Sequence, residues 1–196
     1  EIVIVPVMKK SLRQIALAYR NRLQPEEINS LSQEISASLI TLLQTFQPCT
    51  VGLFYPTRGE PNVLAIMNNL ALKGFRWALP VCCESPTGPF LKFAQFAPDI
   101  EMELGRYNIP VPKSKSWVQP EVLLVPCLAF HRAGARLGYG AGWYDRTLSQ
   151  MPAKPVTVGV AYAVTESKDN FSEQHDELLD YLLTEREFIF TRSGAS

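Results

Sequence analysis

Residues 121–130 read EVLLVPCLAF, a run with no charge after its first position and no polar alternation. A strand that is apolar on both faces must be covered on both faces. That is the condition of a parallel sheet sandwiched between helices. Shortly behind it stands RLGYGAGWYDRTL (136–148), with Gly138, Gly140 and Gly142 in five positions, and WYDRTLSQM continues like a helix. In open α/β sheets a loop between a buried strand and a helix lies beyond the carboxyl ends of the strands, where ligands bind.

The rest of the chain repeats that alternation. KKSLRQIALAYRNRL places Leu12, Ile15, Ala16, Tyr19 and Leu23 at helical spacing, with Lys9, Arg13 and Arg20 on a shared face. A second helix is predicted after Pro25, with Glu26 and Glu27 suiting its first turn and an apolar stripe running from Ile28 to Phe46. CTVGLFY, FRWALPV, PFLKFAQF, EVLLVPCLAF and PVTVGVAYA read as strands, PNVLAIMNNLALKG as a helix closed by Gly74, and DYLLTE with EFIFT as a terminal pair. Pro98 to Gln119 is polar and Pro-containing, with no assigned structure. Together these elements predict an α/β chain with a largely parallel sheet covered on both faces. A chain of 196 residues suits one sizeable core, hence a single domain over 1–196.

Nineteen basic and nineteen acidic residues balance to zero, so nothing suggests a nucleic-acid partner. No apolar run is long enough to span a bilayer. The opening EIVIVPV is short, has no preceding basic region, and is not read as a signal peptide. Cys49, Cys82, Cys83 and Cys127 contain no C-x-x-C, and the adjacent pair would point to opposite faces of a strand. Reduced thiols and a cytoplasmic location are expected.

Glycines allow close approach of a ligand, and successive N–H groups at a helix start form an anion site. Arg136 can add a forked contact, and Asp145 can hold a divalent cation brought in with a nucleotide. The spacing matches neither the P-loop nor the dinucleotide fingerprint. The same residues also suit a tight packing turn, a core aromatic pair (Trp143, Tyr144) and an acidic helix start. The basic face of the first helix is either solvated or reaches the same phosphates.

LLVPCLAFHRAGARLGYGAGWYDRTL, with KKSLR near the start, FYPTRGEPNV after the first strand and HDELLDYLLTE near the end, resembles the 5-formyltetrahydrofolate cyclo-ligase (5,10-methenyltetrahydrofolate synthetase) family, in order from about Met8 to Glu185. The resemblance implies a single three-layer α/β/α unit similar to the ribose-5-phosphate isomerase and glucosamine-6-phosphate deaminase type. It implies ring closure of 5-formyltetrahydrofolate to 5,10-methenyltetrahydrofolate with ATP and Mg²⁺, releasing ADP and phosphate through a phosphorylated formyl (imidate) intermediate. By matched position it assigns Lys9, Lys10, Ser11, Leu12 and Arg13 to ATP. Arg136, Leu137, Gly138, Tyr139, Gly140, Ala141, Gly142, Trp143 and Tyr144 cradle its phosphates. Tyr139 to Trp143, with Tyr55 and Glu60, face the folate. Asp145 and Asp176 are the Mg²⁺-linked aspartates, and Arg136, Tyr144 and Asp145 stand at the chemistry. Many relatives carry Asp where His131 stands, and Gly or Lys where Ala141 stands. The expected partners are two small molecules, 5-formyltetrahydrofolate and ATP, with no nucleic acid or membrane, and the expected state is a monomer. Two other readings stand beside it. One is a non-catalytic folate- or nucleotide-binding protein on the same fold. The other is a sugar-phosphate isomerase or deaminase, for which His131 and His175 would have to serve in the acid/base pair.

Overall fold

A computed structural model describes residues 4–191. The first helix, α1 (Ile4–Arg22), starts five residues before its predicted beginning, with Pro6 accepted in the first turn. Glu1–Val3 of the opening apolar run lie outside the described residues. Ile15, expected in the apolar stripe, is 64% exposed instead. α2 (Pro25–Leu43) follows as predicted; the Gln24 side chain and Glu27 form a reciprocal capping box. Its residues Ile35, Leu39 and Leu43, four apart, are fully buried, each worth roughly 2 kcal/mol of apolar burial.

The strands are β1 (Thr50–Gly52), β2 (Arg76–Cys83), β3 (Phe90–Phe96), β4 (Met102–Leu104), β5 (Pro110–Pro112), β6 (Trp117–Val118), β7 (Val122–Pro126), β8 (Ala129–His131), β9 (Ala135–Leu137), β10 (Val156–Val160), β11 (Tyr181–Leu183) and β12 (Phe188–Phe190). Eight of them form one sheet in the order β12-β11-β10-β7-β1-β2-β3-β6. The five inner strands from β11 to β2 are parallel, and antiparallel strands finish both edges. β7 shows why its sequence is apolar throughout. Val122 and Leu124 join the core under α2, whereas Leu123 and Val125 join a second core with Leu148 of α3 (Trp143–Gln150). Helices therefore cover both faces, the three-layer α/β/α arrangement.

Two expectations are corrected, and one stretch without an assignment gains one. The helix predicted over PNVLAIMNNLALKG is two 3₁₀ turns, Leu64–Asn68 and Leu70–Leu72. Between them Asn69 is extended and its side chain accepts the Ala71 N–H, an alternative to helical bonding that Asn offers readily. The run EVLLVPCLAF is not one strand. Its ladder with β10 ends at Pro126, and the Leu128 N–H donates to Leu137, starting a separate β8–β9 ribbon. Finally, 98–119 is ordered: β4 and β5 pair as a hairpin, and β6 joins the sheet edge.

Candidate active-site cleft

The carboxyl end of β1 runs directly into Phe54–Glu60, and that of β7 into Cys127. Between them opens a cleft of about 1410 Å³, above the roughly 300–1,000 Å³ usual for one small ligand. Two unlike walls line it.

The first wall is the turn Thr57-Arg58-Gly59-Glu60. Arg58 (φ 50°) and Gly59 (φ 74°) are both left-handed, and the Glu60 N–H donates to the Thr57 carbonyl at 3.0 Å, the pattern of a type I′ turn. The Glu60 carboxylate folds back to accept the Thr57 N–H at 2.9 Å. Glu60 is buried. Burial pushes its carboxyl above the usual range, and the Thr57 N–H and the Arg20 guanidinium, 3.8 Å away, only partly oppose this. Tyr55 lines the same wall.

The second wall is the glycine loop. Gly142 (φ 66°) is the N-cap of α3; a Cβ there would stand 2.8 Å from the Arg146 guanidinium, so the loop packs against that side chain. Gly140 also has positive φ, and Arg13 lies beside it, with Nε donating to the Gly138 carbonyl at 2.9 Å. Each aromatic ring of the loop has an arginine over it. Arg58 stacks on Tyr139 at 4.9 Å, Arg106 of the β4–β5 hairpin on Trp143 at 5.1 Å, and Arg136 on Tyr144 at 5.6 Å. Burial also pushes the Tyr144 hydroxyl well above its usual pKa, so it stays protonated.

The carboxylates fall into two groups. Asp145, in the first turn of α3, accepts Arg136 Nη2 at 2.8 Å and the Glu177 N–H at 3.1 Å. Asp176 accepts Lys9 Nζ at 3.0 Å and the Glu173 N–H at 2.8 Å. Burial opposes the charged Asp176, but those two donors outweigh it and hold its carboxyl below the usual range. Donor atoms of Glu173, His175 and Asp176 lie within 4.8 Å of one another. Their carboxylate oxygens are the hard donors a divalent cation such as Mg²⁺ takes. Asp145 is not in that group; Glu173, which sequence reasoning missed, stands there instead.

Of the sequence-selected residues, Lys9, Arg13, Tyr55, Glu60, Arg136 to Asp145 and Asp176 all line this one cleft. Lys10 and Ser11 are exposed and outside it, and Leu12 packs on a small cluster with Leu128 and Phe171. Arg20, read as part of a basic surface, is buried behind the wall. His131 donates nothing to the cleft; its Nδ1 accepts the Ala133 N–H in the β8–β9 turn. All four cysteines are free thiols, and Cys82 lines the cleft with its thiol pushed up by burial. Among the described residues no helix is long and apolar enough to cross a membrane.

Comparisons with known proteins add to this geometry. The model of the 5-formyltetrahydrofolate cyclo-ligase family matches residues 5–185. The 5-formyltetrahydrofolate cyclo-ligase of Mycolicibacterium smegmatis is 31% identical over 190 residues, covering 94% of this chain and 97% of that protein. That of Haemophilus influenzae is 30% identical over 158 residues, 77% and 84% of the two chains. The solution structure of Aquifex aeolicus 5,10-methenyltetrahydrofolate synthetase superposes with a TM-score of 0.79 at 28% identity, covering 96% of this chain and 95% of that one.

Proposed function

The chain belongs to the 5-formyltetrahydrofolate cyclo-ligase family, and on that membership we propose that its cleft converts 5-formyltetrahydrofolate to 5,10-methenyltetrahydrofolate with ATP and Mg²⁺, releasing ADP and phosphate. The observation that carries the reading is the pairing of two unlike walls in one cleft. A buried carboxylate faces a loop of backbone donors and arginines, across a space large enough for two ligands.

Glu60 would accept the paired N–H donors of the pterin ring; its Oε2 is held by the Thr57 N–H before any ligand arrives. Tyr55 would pack beside the ring. The N–H groups of Gly138 to Gly142, at the start of α3, would cradle the ATP phosphates, with Lys9, Arg13 and Arg136 around them. Tyr139 to Tyr144 would lie between the two substrates.

The chemical problem is the leaving group. The formyl oxygen is an amide oxygen and leaves poorly until it is phosphorylated. That oxygen attacks the γ-phosphoryl group, and ADP departs. N10 then attacks the formyl carbon and gives up its proton to solvent, and phosphate leaves with the original oxygen. Both steps need alignment and charge neutralisation more than a protein nucleophile. Arg136 supplies a fixed fork, since Asp145 pins its Nη2. Asp176, with Glu173 beside it, would hold Mg²⁺, which would neutralise the phosphate oxygens when bound, and Asp145 would keep Arg136 aimed at them. Lys9 occupies the Glu173–Asp176 pair and would hand those carboxylates over as cation and phosphates arrive. The acting unit in this proposal is the monomer.

The test is formation of the methenyl chromophore from 5-formyltetrahydrofolate, followed by absorbance, with and without ATP and Mg²⁺. Product that requires both is expected. Folded protein that binds the folate and never turns it over would leave a binding module.

A further inference from the structure

Arg20 is the least exposed charged group near the cleft, with a side chain 1% accessible, and it does not line the cleft. It sits behind the wall and touches both halves of it. Nη2 donates to the Cys127 carbonyl at 2.8 Å, where the chain leaves β7. Nη1 reaches the Tyr139 hydroxyl of the glycine loop at 3.4 Å and stands 3.8 Å from Glu60 Oε1. The turn bearing Glu60 is seated on the same residue: a Cβ on Gly59 would stand 3.2 Å from Arg20 Cβ and 3.3 Å from its carbonyl oxygen. Tyr162 clamps that turn from β10's end by donating to the Gly59 carbonyl at 2.8 Å.

A buried guanidinium costs several kcal/mol of desolvation, and packing alone would be served as well by an apolar side chain. Here the three elements in reach are the end of β7, the pterin-side turn and the phosphate-side loop. A planar fork fixes directions between partners, which a point charge does not.

We propose that Arg20 is a positioning residue that sets the Glu60 carboxylate and the Tyr139 ring in register, so that one guanidinium aligns the folate wall with the glycine loop. The inference rests on the reading of Glu60 as the pterin-facing carboxylate. Arg20 touches neither substrate and acts through those two residues.

The test compares wild type, Arg20→Lys, Arg20→Gln, Glu60→Gln and the double variant Arg20→Gln/Glu60→Gln. KM for 5-formyltetrahydrofolate and for ATP is measured separately, with thermal midpoints. Loss of the fork should raise the folate KM about tenfold, the effect of losing one charge-assisted contact, and leave the ATP KM within about twofold. Arg20→Gln should add clearly less than its single effect on the Glu60→Gln background, because the part acting through Glu60 is already lost and only the part through Tyr139 remains. Arg20→Lys keeps a buried charge and should fold; it should still show the folate defect, which carries the test if Arg20→Gln does not fold. Unchanged folate KM in Arg20→Lys overturns the proposal. So does an equal rise in both KM values tracking the thermal midpoint, or full additivity with Glu60→Gln. A wild-type protein that forms no methenyl product would sink the cyclo-ligase reading itself, a result the variants do not mimic.

Discussion

The two walls of the cleft are built on opposite principles. The turn at Thr57–Glu60 is closed on itself: its carboxylate is buried, bonded to its own backbone and backed by Arg20. The glycine loop is half open, and the charges around it are held in pairs, Arg136 with Asp145 at the loop's own two ends and Lys9 of α1 with the distant Glu173 and Asp176. A closed acceptor suits a flat heterocycle with fixed donors. Paired charges that can exchange partners suit a phosphate chain arriving with its cation. The contrast teaches that one wall selects by shape and the other by charge.

The largest break in that comparison is expected at Asp145. Asp145→Ala should lower turnover about a hundredfold, as when an aligned charge at a transferring phosphoryl group is lost. Because Arg136 is left buried and unpaired, some stability goes with it. Asp145→Asn keeps an acceptor and separates the two effects: its thermal midpoint should stay near wild type while turnover still falls. A parallel loss of both in the Asn variant would make Asp145 a packing residue.

Glu60→Gln should act on one substrate only. The folate KM should rise roughly ten- to a hundredfold, within the 1.5–3 kcal/mol range of hydrogen bonds to a charged group, and the ATP KM should hold. A matching pH effect is expected. Burial raises the Glu60 pKa, so the carboxylate protonates as pH falls at values above the ordinary Glu figure of about 4.3. Wild-type kcat/KM for the folate should therefore decline from a pH above that figure, and the Gln variant should lose that limb. A limb that survives the substitution would assign it elsewhere.

Arg136→Lys replaces a fork by a point charge and should weaken ATP use by about tenfold, about 1.4 kcal/mol, with the folate KM little changed. An ATP KM and rate equal to wild type would remove Arg136 from the phosphates. The smallest effect belongs to Lys10, which is exposed and outside the cleft. Lys10→Ala should change the ATP KM less than about twofold, as exposed charges do; a tenfold change would mean that α1 presents this face to the phosphates.

Much of this was legible in local sequence. Continuous apolar runs gave the inner strands because burial on both faces leaves no polar alternation. The glycine spacing gave the loop because Gly142 needs a left-handed backbone. What the sequence withheld depends on contacts across long stretches of chain. Nothing near Arg20 distinguishes a buried arginine from the solvated Lys10. Glu173 becomes visible beside Asp176 only when Lys9, 164 positions away, meets both. The break after Pro126 was hidden because Cys127 and Leu128 are as apolar as a strand; Cys127 still donates to Val160 of β10, and only at Leu128 does the chain turn to Leu137 of β9.

The first helix has a consequence for how the protein is made. α1 is synthesised well before its partners: its side chains at 9, 13 and 20 find them 164, 125 and 107 residues later, at Glu173, Gly138 and Cys127. Those loops must close before their contacts repay the lost chain entropy, which slows folding. A nascent chain that has reached β7 holds the inner strands β1, β2 and β7 and the Glu60 turn that seats on Arg20, while Lys9 and Arg13 of α1 still wait for Glu173 and Gly138. The cleft is completed last, when the final quarter of the chain returns to its beginning.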